Sequence, residues 1–375
     1  MAHRRPRRGG ALSPAASMES NAMTTAVPAT DTPDRAEHHG IRITVLSDGR
    51  ALDFLDRRWP TLYTRDPHST PYQSRAWLGG WAQHLPLTVA PVMVVAHDSS
   101  GPVAAMAMTH EVTDDGHDRI RPLSAPTAEC IRAVGPGSER LAVANALVRC
   151  LVGLARDGTE VGLADVPADS ALAHQLAAQW NGYLEQTPYA TIALPVGYAG
   201  LSRTTQRGHR RRQRLWDNLT EHGHRVRYRR TQSTTELLEM LPTLESLHRL
   251  RRPDQTEGLL HQGLQPWRTA LERCGTAAFI ATLTLDEDVV AAQLCLHRGH
   301  RVHSVLPAMN PTAYALAPGH ALLRNLTADL ERSGYRTLDL GRTRPEPGQI
   351  HYKAQYAATW TRTLAIHSHP SPATA

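Results

Sequence analysis

No run of this 375-residue sequence comes near the ~20 consecutive apolar residues that a membrane helix needs. The basic start "MAHRRPRRGG" is not followed by an apolar core segment, so its arginines do not make a signal peptide. A cytoplasmic protein with no membrane span is therefore expected. Cysteine is scarce: Cys130, Cys150, Cys274 and Cys295 form no C-x-x-C and lie near no histidine at zinc-ligand spacing. That argues against a disulfide framework and a metal site, and leaves the four as small buried apolar residues. The cluster His297, His300 and His303 in "HRGHRVH" resembles a metal set only by count. Phenylalanine occurs twice, against seven Trp and ten Tyr. G-x-S-x-G, H-E-x-x-H, Walker and G-x-G-x-x-G motifs are all missing, which excludes the chemistry each one signals.

What is present is positive charge and enough apolar residues for a core. The formal net charge is +6 and the sequence pI about 9.4, a balance that favours anionic partners such as phosphates, coenzyme A or nucleic acid. With 41% hydrophobic residues, the length suits two domains at ~150 residues each.

Residues 1–40 are rich in Arg, Pro, Ala, Ser and Thr without apolar period, the composition of a disordered tail. Order is expected from Ile41. "ALDFLDRRWPTLY" and "SRAWLGGWAQHL" read as amphipathic helices. "PVMVVAHDSSGPVAAMAMTHEV" reads as a hairpin turning at Asp98–Gly101. "SERLAVANALVRCLVGLARDG" is helical and stops at Gly158, and "EVGLADVP" is a strand. The second half repeats this order. "TAAFIATLTLDEDVVAAQLCLHRG" is a hairpin, "HRVHSVLPAM" a third strand, "PGHALLRNLTADLERSGY" a helix opened by Pro318, and "RTLDLG" a strand. Asp165 in "GLADV" occupies the place of Asp339 in "TLDLG", which points to an internal duplication. The expected division is a tail over 1–40, a first domain over 41–196 and a second over 197–375.

The ordered series "TPYQSRAWLGGW", the Arg-rich stretch from Arg207 to Arg214, "LESLHRLRR", "APGHALL" and "LDLGRT…YKAQY" resembles an acetyltransferase family of the GNAT superfamily. That family includes the CelD-type and BioF-like proteins and is distantly related to the Fem aminoacyl transferases. The resemblance runs from about Phe54 to Ile366. It implies an α/β (α+β) fold of tandem GNAT-like domains, each a mixed, mostly antiparallel sheet flanked by helices. It also implies acetyl-CoA or another acyl-CoA as donor, a small-molecule amine as acceptor, and no metal. Two departures stand out. "YALAPGHALL" keeps one glycine of the family's pyrophosphate loop. Where relatives carry an Asp-containing segment after the first hairpin, this chain has "LSAPTAECIRAVG" with Glu129.

Several side chains are candidates for acyl transfer from a thioester to an amine, which needs a held pyrophosphate, a base and a proton for the leaving thiolate. The start of a helix at Pro318-Gly319-His320 offers amides to a pyrophosphate; an ordinary helix start is the alternative. Asp339 ends a strand and would orient the amine or take its proton, or else cap a turn. By the resemblance, Tyr352 would protonate the thiolate. Lys353 would meet a phosphate or an acidic substrate group, or pair with Asp339, or else be simply solvated. His248, on the polar stripe of a leucine-rich helix, is a further candidate base. Arg207, Arg210, Arg211 and Arg214, at offsets of zero, three, four and seven, share one helical face. Such a face suits a polyanion, with Arg210 and Arg211 placed for the donor's phosphates, or is simply solvated. A direct attack without covalent intermediate is the expected mechanism, in keeping with the lack of an assignable nucleophilic Cys or Ser. The alternatives are a Fem-like transferase using aminoacyl-tRNA and a non-catalytic GNAT-like binding protein. DNA is not an expected partner, and the chain would be a monomer or homodimer.

Overall fold

The computed structural model describes residues 40–125, 129–251, 263–343 and 347–368. The expected tail falls, apart from Gly40, outside these residues. In chain order the first half contains β1 (Arg42–Ser47), α1 (Asp48–Arg57), α2 (Trp59–Arg65), α3 (Arg75–Ala82), β2 (Val89–Asp98), β3 (Gly101–Val112), β4 (Asp118–Pro122), α4 (Leu141–Arg156), β5 (Glu160–Pro167), α5 (Ala171–Gln179) and β6 (Tyr183–Ala193). The second contains α6 (Arg203–Glu221), β7 (Val226–Arg230), α7 (Thr234–Arg251), α8 (Leu264–Cys274), β8 (Ala278–Leu285), β9 (Asp288–Arg298), β10 (Arg301–Met309), α9 (Pro318–Arg332), β11 (Thr337–Arg342), α10 (Pro347–Ala354) and β12 (Thr359–His367). Both expected hairpins are present as β2–β3 and β8–β9, and the two "D-G" and "S-G" helix ends are the C-termini of α4 and α9. The first expected helix is split at Arg58, just before Trp59-Pro60, because proline cannot continue a helix it does not begin.

The strands form one twelve-stranded sheet in the order β1-β2-β3-β4-β5-β12-β6-β11-β10-β9-β8-β7. Only β4–β5 and β10–β11 pair in parallel; the other pairs are antiparallel. The duplication expected from sequence is thus visible as two strand series that mirror each other about the centre. At that centre the halves exchange strands. β6, the last strand of the first half, lies against β11 of the second, while β12, the last of the second, lies against β5 of the first. The two exchanged strands also pair with each other over Thr359↔Thr191 to His367↔Tyr183.

Tryptophan takes the role that phenylalanine usually shares in a core. Trp77 and Trp81 on α3 and Trp267 on α8 meet edge to face, with centroids 5.6–5.8 Å apart. The Gly79-Gly80 pair makes that contact close: a Cβ on Gly80 would stand 2.3 Å from Cα of Ala270. A second joint is polar. Arg298 of β9 donates to the carbonyls of Ser69 and Tyr63 at 2.6 and 2.8 Å and lies over the Tyr63 ring. Both joints fasten the first half to the second.

Candidate functional site

β10 and β11 begin side by side, pairing at Arg301↔Thr337, Val302↔Leu338 and His303↔Asp339, and pair no further. β10 continues to Met309 and β11 to Arg342, so a V opens in the sheet with His303 and Asp339 at its vertex. β11 also carries a bulge against β6 between Asp339 and Gly341, where Gly341 has φ +71°. The acid in the sequence's "TLDLG" run thus stands where the ladder with β10 ends, while β11 itself runs on to Arg342 against β6.

Asp339 is buried, 3% exposed, and accepts a hydrogen bond from Thr191 Oγ1 at 2.6 Å. Its other oxygen lies 3.2 Å from His303 Nδ1 and 3.6 Å from Arg301 Nε. The His303 contact is off the line of a hydrogen bond, and neither ring nitrogen has a hydrogen-bond partner. Burial lowers the pKa of His303, with Asp339 opposing and Arg301 reinforcing that shift, so the ring is neutral. The ring also packs edge-on against Tyr72, in the 3-10 turn Pro71–Gln73 that "TPYQS" forms by a Thr70/Gln73 capping box. His303 was legible only as part of a histidine-rich turn; its parallel partner in β11 gives it meaning.

On the far side of β11 from Asp339, Leu338 and Leu340 face the core under α6 and α9. Tyr352 belongs to that side: it packs on the same core and its hydroxyl donates to the Gly319 carbonyl at 3.1 Å. Asp339 and Tyr352 are therefore not brought into one cluster; they stand on opposite faces of the strand. Lys353 is buried with Nζ donating to the carbonyls of Leu340, Gly341 and Arg342 at 2.7, 2.9 and 2.7 Å. Its three ammonium protons are thus taken by the stretch of β11 that β10 leaves unpaired, and they face neither a phosphate nor Asp339. Burial pulls its pKa down to about 8, with Glu129 opposing and Arg342 assisting. His248 is buried on α7, whose Leu237, Leu241, Leu244 and Leu247 enter the largest core.

The donor-binding candidates do come together. Arg207, Arg210, Arg211, Arg212 and Arg214 of α6 line one cleft of about 710 Å³ with Ala315, Ala317 and His320 at the start of α9. Among the described residues, Arg207, Arg210, Arg211 and Arg214 are exposed and have no carboxylate within ion-pair distance. α6 is held there by Trp216, whose indole donates to the Leu316 carbonyl at 2.9 Å, and by Arg212 and His209 bonded to Gln355. At the start of α9, Ala317 takes the left-handed conformation and Pro318 is the first helical residue. At Gly319 the backbone lies close under Met309, whose Sδ would stand 2.4 Å from a Cβ there and would have to move aside for one. The His320 amide turns inward to the Ala317 carbonyl, and its ring is bonded to the Tyr356 hydroxyl at 2.7 Å. Burial, aided by Arg212, His209 and His351, holds the His320 pKa near about 3, so this ring brings no positive charge to the cleft. The cleft's charge comes from the arginines. Among the described residues no group of three or more His, Cys, Asp or Glu is arranged to hold a metal ion, and no helix is long and apolar enough to cross a membrane. Burial raises the thiol pKa of Cys130, Cys274 and Cys295, which keeps them as thiols.

Residues 205–354 match the acetyltransferase (GNAT) domain family, a span that holds α6, the cleft and the V. A search of curated proteins finds no match to the sequence. Among solved structures, the fold is similar to that of FemX (TM-score 0.57, 11% identity, 84% of this chain and 96% of that one). It is also similar to the C-terminal domain of a putative lysylphosphatidylglycerol synthetase from Agrobacterium fabrum (0.53, 11%, 85% and 93%). A conserved protein of unknown function from Bacteroides thetaiotaomicron aligns equally well (0.53, 11%, 86% and 99%). At these identities the likeness concerns the fold. Residues 205–354 thus carry the match to an acetyltransferase (GNAT) domain, within a chain whose fold FemX shares.

Proposed function

We propose that this protein moves an acyl group from acyl-CoA to the amine of a small acceptor by direct attack. The observation that carries the reading is the cleft in which the α6 arginines and the start of α9 meet. Arg207, Arg210, Arg211 and Arg214 would hold the donor's phosphates, each as a charge-assisted pair. The acyl end would then reach the V, where β10 and β11 no longer bond to each other. Tyr352 stands on the donor face and Asp339 on the opposite one, a division that suits transfer through the sheet. Tyr352 would meet the leaving sulfur, and Asp339 would order the acceptor side through Thr191 and His303. Calorimetric titration with acetyl-CoA and longer acyl-CoAs tests the reading: saturable binding lost in Arg210→Ala/Arg211→Ala supports it. No heat with any acyl-CoA would sink it.

A second reading, transfer from aminoacyl-tRNA, is favoured by the number of unpaired exposed arginines on α6 and by the fold shared with FemX. It predicts binding of charged tRNA that weakens steeply with salt, because each neutralised phosphate releases counterions. RNase-sensitive activity would decide for it.

A further inference from the structure

The reaction proposed above needs a group to take the amine's proton, and Asp339 is poorly free to do so. Its carboxylate already accepts from Thr191 and faces His303 and Arg301. Asp165, the matching acid of the first half, is similarly held by Arg342 at 3.2 Å and Thr363 at 3.3 Å.

Glu129 is different. It comes from the first half, in the loop between β4 and α4, and that loop is pinned by Ile131 N–H to the Asp165 carbonyl at 3.0 Å and by a Val134–Ala105 bridge. Its carboxylate rests on the backbone of Gly341. A Cβ there would stand 2.3 and 2.7 Å from the two oxygens, and the backbone at Gly341 has φ +71°, a conformation that favours glycine. Gly341 lies two residues past Asp339, in the part of β11 that has left β10. Glu129 is surrounded by protein yet retains some accessible surface, whereas Asp339 and Asp165 have almost none. Thr343 Oγ1, two residues past Gly341, and both ring nitrogens of His303, which pairs with Asp339 across the strands, are buried without hydrogen-bond partners.

We propose that Glu129 is the residue that deprotonates the acceptor amine, so that the first half supplies the base and the second half the donor site. This rests on the acyl-transfer reading. An acceptor ammonium gives one proton to the Glu129 carboxylate. The freed nitrogen lone pair attacks the thioester carbonyl, a C–N bond forms and the C–S bond breaks. Of the two protons then left on nitrogen, one passes to the departing thiolate and one stays on the amide, and Glu129 returns its own to water. The groups around Glu129 are Asp165 on β5, Asp339 and Arg342 on β11, Lys353 on α10, Tyr72 in the turn before α3, Tyr189 on β6 and Cys130 beside it. Burial first, and Asp165 next, raise the Glu129 pKa to about 8, close to where a base for an amine is most useful.

The test is Glu129→Gln assayed by thiol release from acetyl-CoA over pH 6–10 with a panel of primary amines, beside calorimetric titration of acetyl-CoA. The expected result is unchanged acetyl-CoA affinity and a loss in kcat of about 10²–10⁴-fold. The rise of wild-type activity through pH 8 should also disappear. Wild-type-like rates or an unaltered pH profile in the variant would overturn the assignment while leaving donor binding, and so the acyl-transfer reading, intact. Failure of the wild type to bind acetyl-CoA would overturn both. So would binding of acetyl-CoA without transfer to any amine in the panel. If Glu129→Gln does not fold, Glu129→Asp, which keeps the charge, should fold and show reduced kcat with a displaced profile; a wild-type profile there would equally end the proposal.

Discussion

The hydroxyl of Thr191 on β6 is bonded to the carboxylate of Asp339 on β11 at 2.6 Å, across the line where the first half's last strand enters the second half's sheet. Thr363 on β12 stands in the same relation to Asp165 on β5, at 3.3 Å. Each exchanged strand thus brings a hydroxyl to an acid of the opposite half. A buried carboxylate needs such donors, since an unsatisfied one costs far more than the bond itself contributes.

Thr191→Val keeps the shape and removes that donor. Leaving the Asp339 oxygen short of a partner should lower stability by about 1–3 kcal/mol. Urea unfolding measures it; an unchanged midpoint would mean that water or another group replaces Thr191. Asp339→Asn in the same background should recover part of the loss, because an amide needs less compensation than a carboxylate, while turnover stays low.

Arg210→Ala/Arg211→Ala should leave the fold intact, since exposed substitutions usually change stability by within about 0.5 kcal/mol. Donor affinity should fall, and the slope of log affinity against log salt should become shallower. Binding equal to wild type across salt concentrations would reduce the α6 face to solvated surface.

Gly80→Ala should destabilise by about 1–3 kcal/mol, the cost of overpacking, because its methyl meets the backbone of Ala270. Gly79→Ala meets only the movable tip of Arg273 and should be tolerated. Thermal melts of the pair separate backbone contact from simple helix propensity, which predicts a gain at both sites.

Stability should also depend on pH through Glu129. Its pKa lies near 4.5 unfolded and is raised to about 8 in the fold, so the native state holds the extra proton between those values. The stabilising contribution is complete below pH 4.5 and is lost as pH rises through 8. Glu129→Gln, permanently neutral, should therefore gain on wild type progressively from pH 5 to pH 9. A constant difference in Tm across that range would show that the carboxyl is ionised throughout.

The hairpins, the long helices and the acid-ended strand were readable from the sequence because period, caps and turns are local signals. The arginine face was readable for the same reason, and in the structure it lines one cleft with the start of α9. The strand exchange was not readable. β6 ("YLEQTPYATIA") and β12 ("TWTRTLAIH") are polar over half their length and exposed there, so neither shows the apolar pattern expected of central strands. Glu129 and His303 were hidden for another reason. Their surroundings are assembled from both halves, and a single acid in a loop or a histidine in a rich turn carries no local mark. Lys353 was misleading in sequence because a lysine beside a tyrosine at a strand end looks solvent-facing, whereas here it closes the carbonyls that the V leaves open.

The exchange of β6 and β12 also constrains how the chain is made. During synthesis the first half emerges with β5 as a bare edge, because the strand that covers it is encoded more than 190 residues later. An uncovered edge is a template for wrong pairing, and here it stays open until β12 has been made. By the same logic the gene does not divide into two self-sufficient pieces. A break between β6 and α6 yields fragments that each carry the other's missing strand. They should be insoluble apart and regain one complete sheet when produced together.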